Sequence, residues 1–313
     1  MAMGGGAGSA ASRTTRNPAR RRRRLTPYVL VAPTVLVMGV VLVYPLATLF
    51  FESLHRVEPL LSPDWRFIGL DNYPRMLRDS EVIASLGRTI VWTVVSVAAQ
   101  LAIGLAGALI LGGPAFRGRA LVRALLLIPW ATPAVVGALS WKWVYHGQYG
   151  LLNAALAAVG LGSYDTAWLG NPGTALAAVI VANVWRGFPF IMIVLLASVI
   201  AVPRELYEAA GVDGASTLAS IRRITLPLIR PAILLSTLLA GIWTFNNFST
   251  IYILTGGGPA GLTDILVTFV YANGFKYFHF GYASALSVVL FLLLVVASLV
   301  YIRLLSPGKA GAR

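Results

Sequence analysis

The segregation of apolar residues into six long runs constrains this chain more than any other feature. We place these predicted spans at residues 27–51, 89–111, 121–143, 174–200, 228–254 and 282–305. Each can cross the hydrocarbon layer as a helix, which takes about 20 residues. A chain that is 58% hydrophobic and 12% charged would need an improbably large soluble core, and the runs lack the alternation of barrel strands. The sequence therefore predicts an all-α integral membrane protein with six transmembrane helices.

The positive charge indicates how these helices are oriented. The net charge is +14, and most of the 25 Lys and Arg residues fall in the N-terminal tail, the second and fourth connections and the C-terminus. Excess Lys and Arg mark cytoplasmic segments, so we expect both termini to be cytoplasmic. The arginine run from Arg20 to Arg24 then anchors the topology beside anionic lipid. We expect membrane lipid rather than nucleic acid as its partner.

The chain is predicted to form one membrane domain with short flanks. Residues 1–24 have the composition of a disordered, basic cytoplasmic tail, residues 25–305 form the membrane domain, and residues 306–313 are a short cytoplasmic C-terminus. The first run is too long for a signal peptide and no small-residue cleavage site follows it, so we expect it to remain as an anchor. Cysteine is absent, which excludes thiol catalysis.

Residues 201–230 form a polar, helix-forming connection between two apolar runs. Pro203 is predicted to open a first helix, and the pair Asp213-Gly214 to end it and to cap the next. Arg222 and Arg223 are predicted to lie near the C-terminus of the second helix, where cations are favoured.

Small residues give this connection a low profile, which suits insertion into a groove on a partner protein. They are Ala209, Ala210, Gly211, Gly214 and Ala215. The alternative is an ordinary helical hairpin that only closes the loop.

The segment from Glu208 to Pro231 resembles the cytoplasmic "EAA" loop of permease subunits of ABC importers. It has Glu-Ala-Ala, then Asp-Gly-Ala, then Ile-x-Leu-Pro with a second Pro four residues later. Further segments resemble the sugar-importer permeases of the maltose, trehalose, multiple-sugar and glycerol-phosphate type. These are Trp185-Arg-Gly-Phe-Pro-Phe190, Asn246-Asn-Phe248, Leu254-Thr-Gly-Gly-Gly-Pro259 and Gly281-Tyr-Ala-Ser-Ala285.

The resemblance implies a type I ABC importer permease fold without catalytic activity. It implies a second homologous permease subunit, two ABC ATPase subunits and an extracytoplasmic sugar-binding (lipo)protein, at a bacterial cytoplasmic membrane. ATP and magnesium would bind the ATPases, so no cofactor is expected on this chain. The implied ATPase-coupling residues are Glu208, Ala209, Ala210, Asp213, Gly214 and Ala215.

The resemblance to the maltose-type subunit also implies a substrate site. Its residues are Asn183, Arg186, Gly187, Phe190, Trp243, Thr244 and Asn247. Amides and aromatic faces in an apolar pocket suit a di- or oligosaccharide. Other roles stay open: Asn183 and Asn247 as polar links between helices, Trp243 as packing against a partner or lipid, and Arg186 as a ligand for hydroxyl or phosphate or as a side chain that snorkels to the interface.

Other function classes fit the sequence less well. An ion-coupled secondary carrier usually needs a carboxylate inside a span, and the predicted spans hold no Asp or Glu well inside them. The three histidines have no metal-ligand spacing, and no P-loop is present, so ATP hydrolysis would belong to a partner. An amino-acid or polyamine ABC permease remains open. Pro129, Pro133 and Pro189 are candidates for helix kinks within the spans.

Overall fold

The computed structural model describes residues 28, 30–60, 65–113, 118–161 and 165–305. The described residues fall in two units that divide between Phe51 and Glu52. The predictions for residues 1–24 and 306–313 lie outside the described residues.

The described chain is built almost entirely from helices. In chain order they are α1 Leu30–Ser53, α2 Asn72–Arg78, α3 Ser80–Gly112, α4 Arg119–Ala131, α5 Ala134–Val144, α6 Leu151–Ala158, α7 Ala175–Ile200, α8 Arg204–Val212, α9 Thr217–Phe245, α10 Phe248–Leu254, α11 Leu266–Tyr271 and α12 Phe280–Leu305. π-helical stretches occupy Gly39–Val43, Ile221–Thr225 and Ala272–Lys276. Two short strands, β1 His55–Arg56 and β2 Arg66–Phe67, pair antiparallel with His55 opposite Phe67.

Among the described residues, five helices are long and apolar enough to cross a membrane: α1, α3, α7, α9 and α12. The third predicted span, 121–143, is not one continuous helix, because α4 and α5 are bent by 96° at Thr132-Pro133. Thr132 is extended, with ψ at 129°. A residue before proline is disfavoured in the helical region, which accounts for the break. Counted as one broken span, the pair restores the six spans that the sequence predicts.

Two other spans have bounds that differ from the prediction. The second begins at Ser80 rather than residue 89, because Asp79 caps it by accepting the N–H of Glu81 at 3.0 Å. The fifth ends at Phe245 rather than residue 254. Asn247 begins α10 instead, with its Oδ1 accepting the N–H of Thr250 at 3.2 Å. Such N-caps stabilise a helix start by about 1 kcal/mol.

The core of the second unit centres on α3 and α7, which pack closely because small residues line α3. A Cβ added to Gly104 would lie 2.9 Å from Ile191, and one added to Gly112 would lie 2.7 Å from Val199. Small residues at four-residue spacing allow helix backbones to approach in membranes. Ile191, Met192 and others from α7 fill the resulting contact.

Candidate functional site: a coupling hairpin and a polar cavity

The connection predicted at residues 201–230 is a helical hairpin made of α8 and the start of α9. Pro203 precedes α8 as predicted, and Gly214 adopts φ +73°, which favours glycine. Asp213 ends α8 but does not cap the next helix. Ser216 caps it, with Oγ accepting the N–H of Ala219 at 3.3 Å. We call residues 204–220 the coupling hairpin, after the role that the resemblance implies for them.

Arg222 and Arg223 do not lie at a helix C-terminus as predicted. The helix continues through the π-helical stretch Ile221–Thr225 into the rest of α9 without a break. Pro227 does not interrupt it, because it lies in the first turn of the α-helical segment Leu226–Phe245, where proline is tolerated. The coupling hairpin is therefore continuous with a membrane-spanning helix.

The coupling hairpin is exposed and carries apolar residues on its surface. Val212 is 89% and Leu218 72% exposed, and Glu208 is exposed too. The hydroxyl of Tyr207 on α8 lies 2.8 Å from Oγ1 of Thr225 on α9, and Thr225 is buried. This hydrogen bond links α8 to the part of α9 that follows the coupling hairpin.

A cavity of about 500 Å³ lies between the helices of the second unit. All seven residues of the predicted substrate site line it: Asn183, Arg186, Gly187, Phe190, Trp243, Thr244 and Asn247. Both helix breaks meet here, since Trp130 and Ala134 flank the α4–α5 bend and Asn246 lies between α9 and α10. Its size is in the range of small-molecule sites, which span about 300–1,000 Å³.

The polar part of the cavity is a cluster of amide side chains, and some of the hydrogen-bond donors there have no partner among the described residues. Asn247 Nδ2 donates to Asn183 Oδ1 at 2.9 Å, and Gln100 Nε2 donates to the Asn183 carbonyl at 3.3 Å. Asn183 and Asn247 thus do link helices. Asn183 Nδ2 and Arg186 Nε are buried and have no hydrogen-bond partner among the described residues. Buried unpaired donors are costly, so such groups are suited to a ligand that accepts hydrogen bonds.

The other side of the cavity is aromatic. The ring of Phe190 lies 6.3 Å from that of Trp130, with the planes 24° apart, and 4.7 Å from that of Trp243 in an edge contact. Gly187 lies against the Gln100 amide, and a Cβ at this position would overlap it. The cavity therefore combines aromatic rings with hydrogen-bond donors.

Several lining residues were not predicted from the sequence. They are Gln100, Trp130, Ala134, Ala240, Asn246, Phe248 and Ser249. Gln100 and Asn246 carried a usable signal, because an amide inside an apolar span usually faces a cavity or another polar group. The others have no such signal, since their place in the cavity depends on the two helix breaks.

Two basic side chains fix the segments near α10 and α11. Lys142 Nζ on α5 donates to the Ile253 carbonyl at 3.0 Å near the end of α10. Arg88 Nε donates to the Asp264 carbonyl at 2.8 Å just before α11. Burial raises the pKa of the Asp264 carboxyl, and its hydrogen bond from Thr268 and the charge of Arg88 act in the opposite direction.

Residues 100–310 match the family model described as "Binding-protein-dependent transport system inner membrane component". The chain is 37% identical over 276 residues to the trehalose/maltose transport system permease protein MalF of Thermococcus litoralis, covering 88% of this chain and 92% of that protein. It is 35% identical over 298 residues to the trehalose transport system permease protein SugA of Mycobacterium tuberculosis, covering 95% and 94%. It is 34% identical over 282 residues to the sulfoquinovosyl glycerol transport system permease protein SmoG of Agrobacterium fabrum, covering 90% and 91%.

The fold is shared with a chain of the crystal structure of a bacterial ABC transporter that imports the acidic polysaccharide alginate. The TM-score is 0.79 at 23% identity, over 91% of this chain and 96% of that one. The prediction of an ABC importer permease is confirmed, and the comparisons give no support to an ion-coupled carrier. The chain belongs to the family of binding-protein-dependent transport system inner membrane components, as a multi-pass permease subunit of an ABC importer.

Proposed function

We propose that the chain carries a sugar, as a di- or oligosaccharide, across a bacterial cytoplasmic membrane through the polar cavity. The observation that carries this proposal is the convergence of seven predicted residues on one cavity with unpaired donors. Sugar hydroxyls accept such hydrogen bonds, and sugar C–H faces stack on aromatic rings. Relatives named for trehalose, maltose and sulfoquinovosyl glycerol support this substrate class.

The assembly we propose contains a second homologous permease, two ABC ATPases that bind ATP and magnesium, and an extracytoplasmic sugar-binding (lipo)protein. The chain itself would hold no cofactor and perform no catalysis. The coupling hairpin would dock on one ATPase through Glu208, Ala209, Ala210, Asp213, Gly214 and Ala215. Its exposed apolar residues, Val212 and Leu218, support a protein partner on this surface. This end would be cytoplasmic, with both termini on the same side.

Coupling would run along α9. Closure of the ATPases moves the hairpin, and the Tyr207–Thr225 hydrogen bond carries that movement to α9. The far end of α9 bears Trp243 and Thr244, about 27 Å along the axis from Thr225 at 1.5 Å per residue. Two states of the cavity, open to one side or the other, would thus follow the state of the ATPases.

Co-purification tests the assembly and uptake tests the substrate. We expect the tagged chain to recover a P-loop ATPase and a distinct second permease from mild detergent. In proteoliposomes with the binding protein, ATP-dependent uptake is expected for at least one of trehalose, maltose and diacetylchitobiose. Recovery of the chain alone argues against the assembly. Uptake of amino acids or polyamines in place of all three sugars argues against the substrate class.

A further inference from the structure

A row of aromatic rings leads away from the cavity along three helices. Phe248 lines the cavity, and its ring lies 4.7 Å from Tyr252 and 4.8 Å from Tyr271. Tyr271 stacks on Phe275 at 5.2 Å, and Phe275 contacts Phe280 at 5.9 Å. We call these five residues the aromatic row.

The aromatic row is not part of a hydrophobic core. None of its rings is buried, and Phe275 is 64% exposed. By contrast Trp92, in the same unit, is fully buried and donates its Nε1–H to the Thr244 carbonyl at 2.9 Å. Each residue of the row therefore keeps part of its surface exposed.

The chemistry of the row combines ring faces with polar groups. Tyr252 and Tyr271 carry hydroxyls, and Lys276 Nζ lies 5.3 Å from the centroid of the Tyr252 ring. Lipid chains offer nothing to hydroxyls or to an ammonium group. A saccharide offers both an apolar C–H face and hydroxyls, so it can contact both the rings and the polar groups of the row.

We propose that the aromatic row is a saccharide track that holds sugar units beyond those in the cavity. The proposal rests on the sugar function proposed above. It follows that a longer saccharide contacts residues of α10, α11 and the start of α12 on its way to the amide cluster. The row then makes the importer favour saccharides of two or more rings over single sugars.

Single-cysteine labelling tests the track, because the native chain contains no cysteine. Tyr271→Cys and Phe275→Cys probe the row, Ser249→Cys probes the cavity, and Leu161→Cys is a control at a 77% exposed position away from the row. The complete transporter, in vesicles, is treated with a membrane-impermeant maleimide, with and without a trisaccharide that the wild type takes up.

We expect sugar to slow labelling at positions 271, 275 and 249 about tenfold when its concentration is about ten times its Kd, and to leave position 161 unchanged. Protection at 249 alone overturns the track and leaves the sugar function intact. Positions 271 and 275 that do not react even without sugar also overturn it, because the second permease would then cover the row. Absence of protection at every position contradicts the sugar function itself.

Phe275→Ala and Phe275→Tyr give a second readout that needs no cysteine. Phe275 is largely exposed, so neither change is expected to impair folding. The alanine variant should lose relative uptake of a trisaccharide over glucose, and the tyrosine variant should keep it. An unchanged ratio in the alanine variant overturns the track.

Discussion

The two ends of α9 are built in opposite ways. At one end the coupling hairpin is exposed, with Val212 and Leu218 on its surface and the Tyr207–Thr225 hydrogen bond between α8 and α9. At the other end Thr244 is 4% exposed, and Asn247 is bonded to Asn183 across the helices. The hairpin end exposes apolar residues, whereas the other end is largely completed within the chain.

This difference indicates that the binding of a partner would stabilise the hairpin end of α9, whereas the cavity end is organised without one. Small and apolar residues on an exposed hairpin gain stability only when a partner covers them. The amide cluster is already organised before any ligand arrives. A permease that links the two can be switched by a partner while its cavity keeps its local geometry.

The largest effect on uptake is expected from a substitution that changes the amide cluster of the cavity. Gly187→Val places side-chain atoms where the Gln100 amide lies, and overpacking of this kind costs about 1–3 kcal/mol. We expect uptake to be abolished while the partners still co-purify. Gly241→Ala is the matched control in α9, because a Cβ there meets nothing within 4 Å. Equal uptake by the two variants would contradict the placement of the cavity.

Glu208→Lys changes the coupling hairpin. Reversing this exposed charge should weaken docking of the ATPase and lower ATP-driven uptake at least about tenfold, the effect of about 1.4 kcal/mol. Membrane insertion should not change. Glu205→Lys, one turn earlier on α8, should cost only the helix-dipole interaction, about 0.3–1 kcal/mol. Co-purified ATPase is the measurement, and equal recovery with both variants removes Glu208 from the coupling set.

Arg186 distinguishes a ligand-binding side chain from a structural one. Arg186→Leu removes the unpaired Nε and should weaken sugar binding by about 1.5–3 kcal/mol, the range for a hydrogen bond to a charged group. Arg186→Lys should recover part of the loss. Uptake is measured at several sugar concentrations in the assembled transporter. A loss of assembly in place of a loss of uptake would assign Arg186 to structure.

Tyr207→Phe should have the smallest effect. It removes one hydrogen bond between α8 and α9, worth about 0.5–1.5 kcal/mol. The ATPase should still bind, but less sugar should be moved per ATP hydrolysed. Thr225→Val should give the same defect, and the double variant should be no worse than either alone. Additive defects would show that the two residues do not act through their shared bond.

Local signals in the sequence were enough for most helices and for the hairpin. Long apolar runs, Pro203 and the glycine at 214 each act within a few residues, so the prediction needed no knowledge of distant contacts. The helix cap was misplaced because Asp213 and Ser216 are both good N-caps, and only the geometry of the turn selects Ser216. The roles of the coupling residues stay predictions.

Seven residues of the cavity lining were predictable, but the rest of the lining and the shape of the cavity were not. The family resemblance named the seven residues, but the break at Thr132-Pro133 and the turn at Asn246 bring in lining groups that no single run of sequence contains. In the sequence alone, Pro129 and Pro133 are equally good candidates for a helix kink. Pro129 lies inside α4, whereas Pro133 follows the extended residue that separates α4 from α5.

ATP hydrolysis by the reconstituted assembly tests the central claim most directly. It is measured with and without sugar-loaded binding protein, for the wild type and for Glu208→Lys. The account predicts that loaded binding protein stimulates hydrolysis in the wild type, that uptake follows hydrolysis, and that both are lost in the variant. Uptake of sugar by the chain alone, driven by an ion gradient and unaffected by Glu208→Lys, would contradict it.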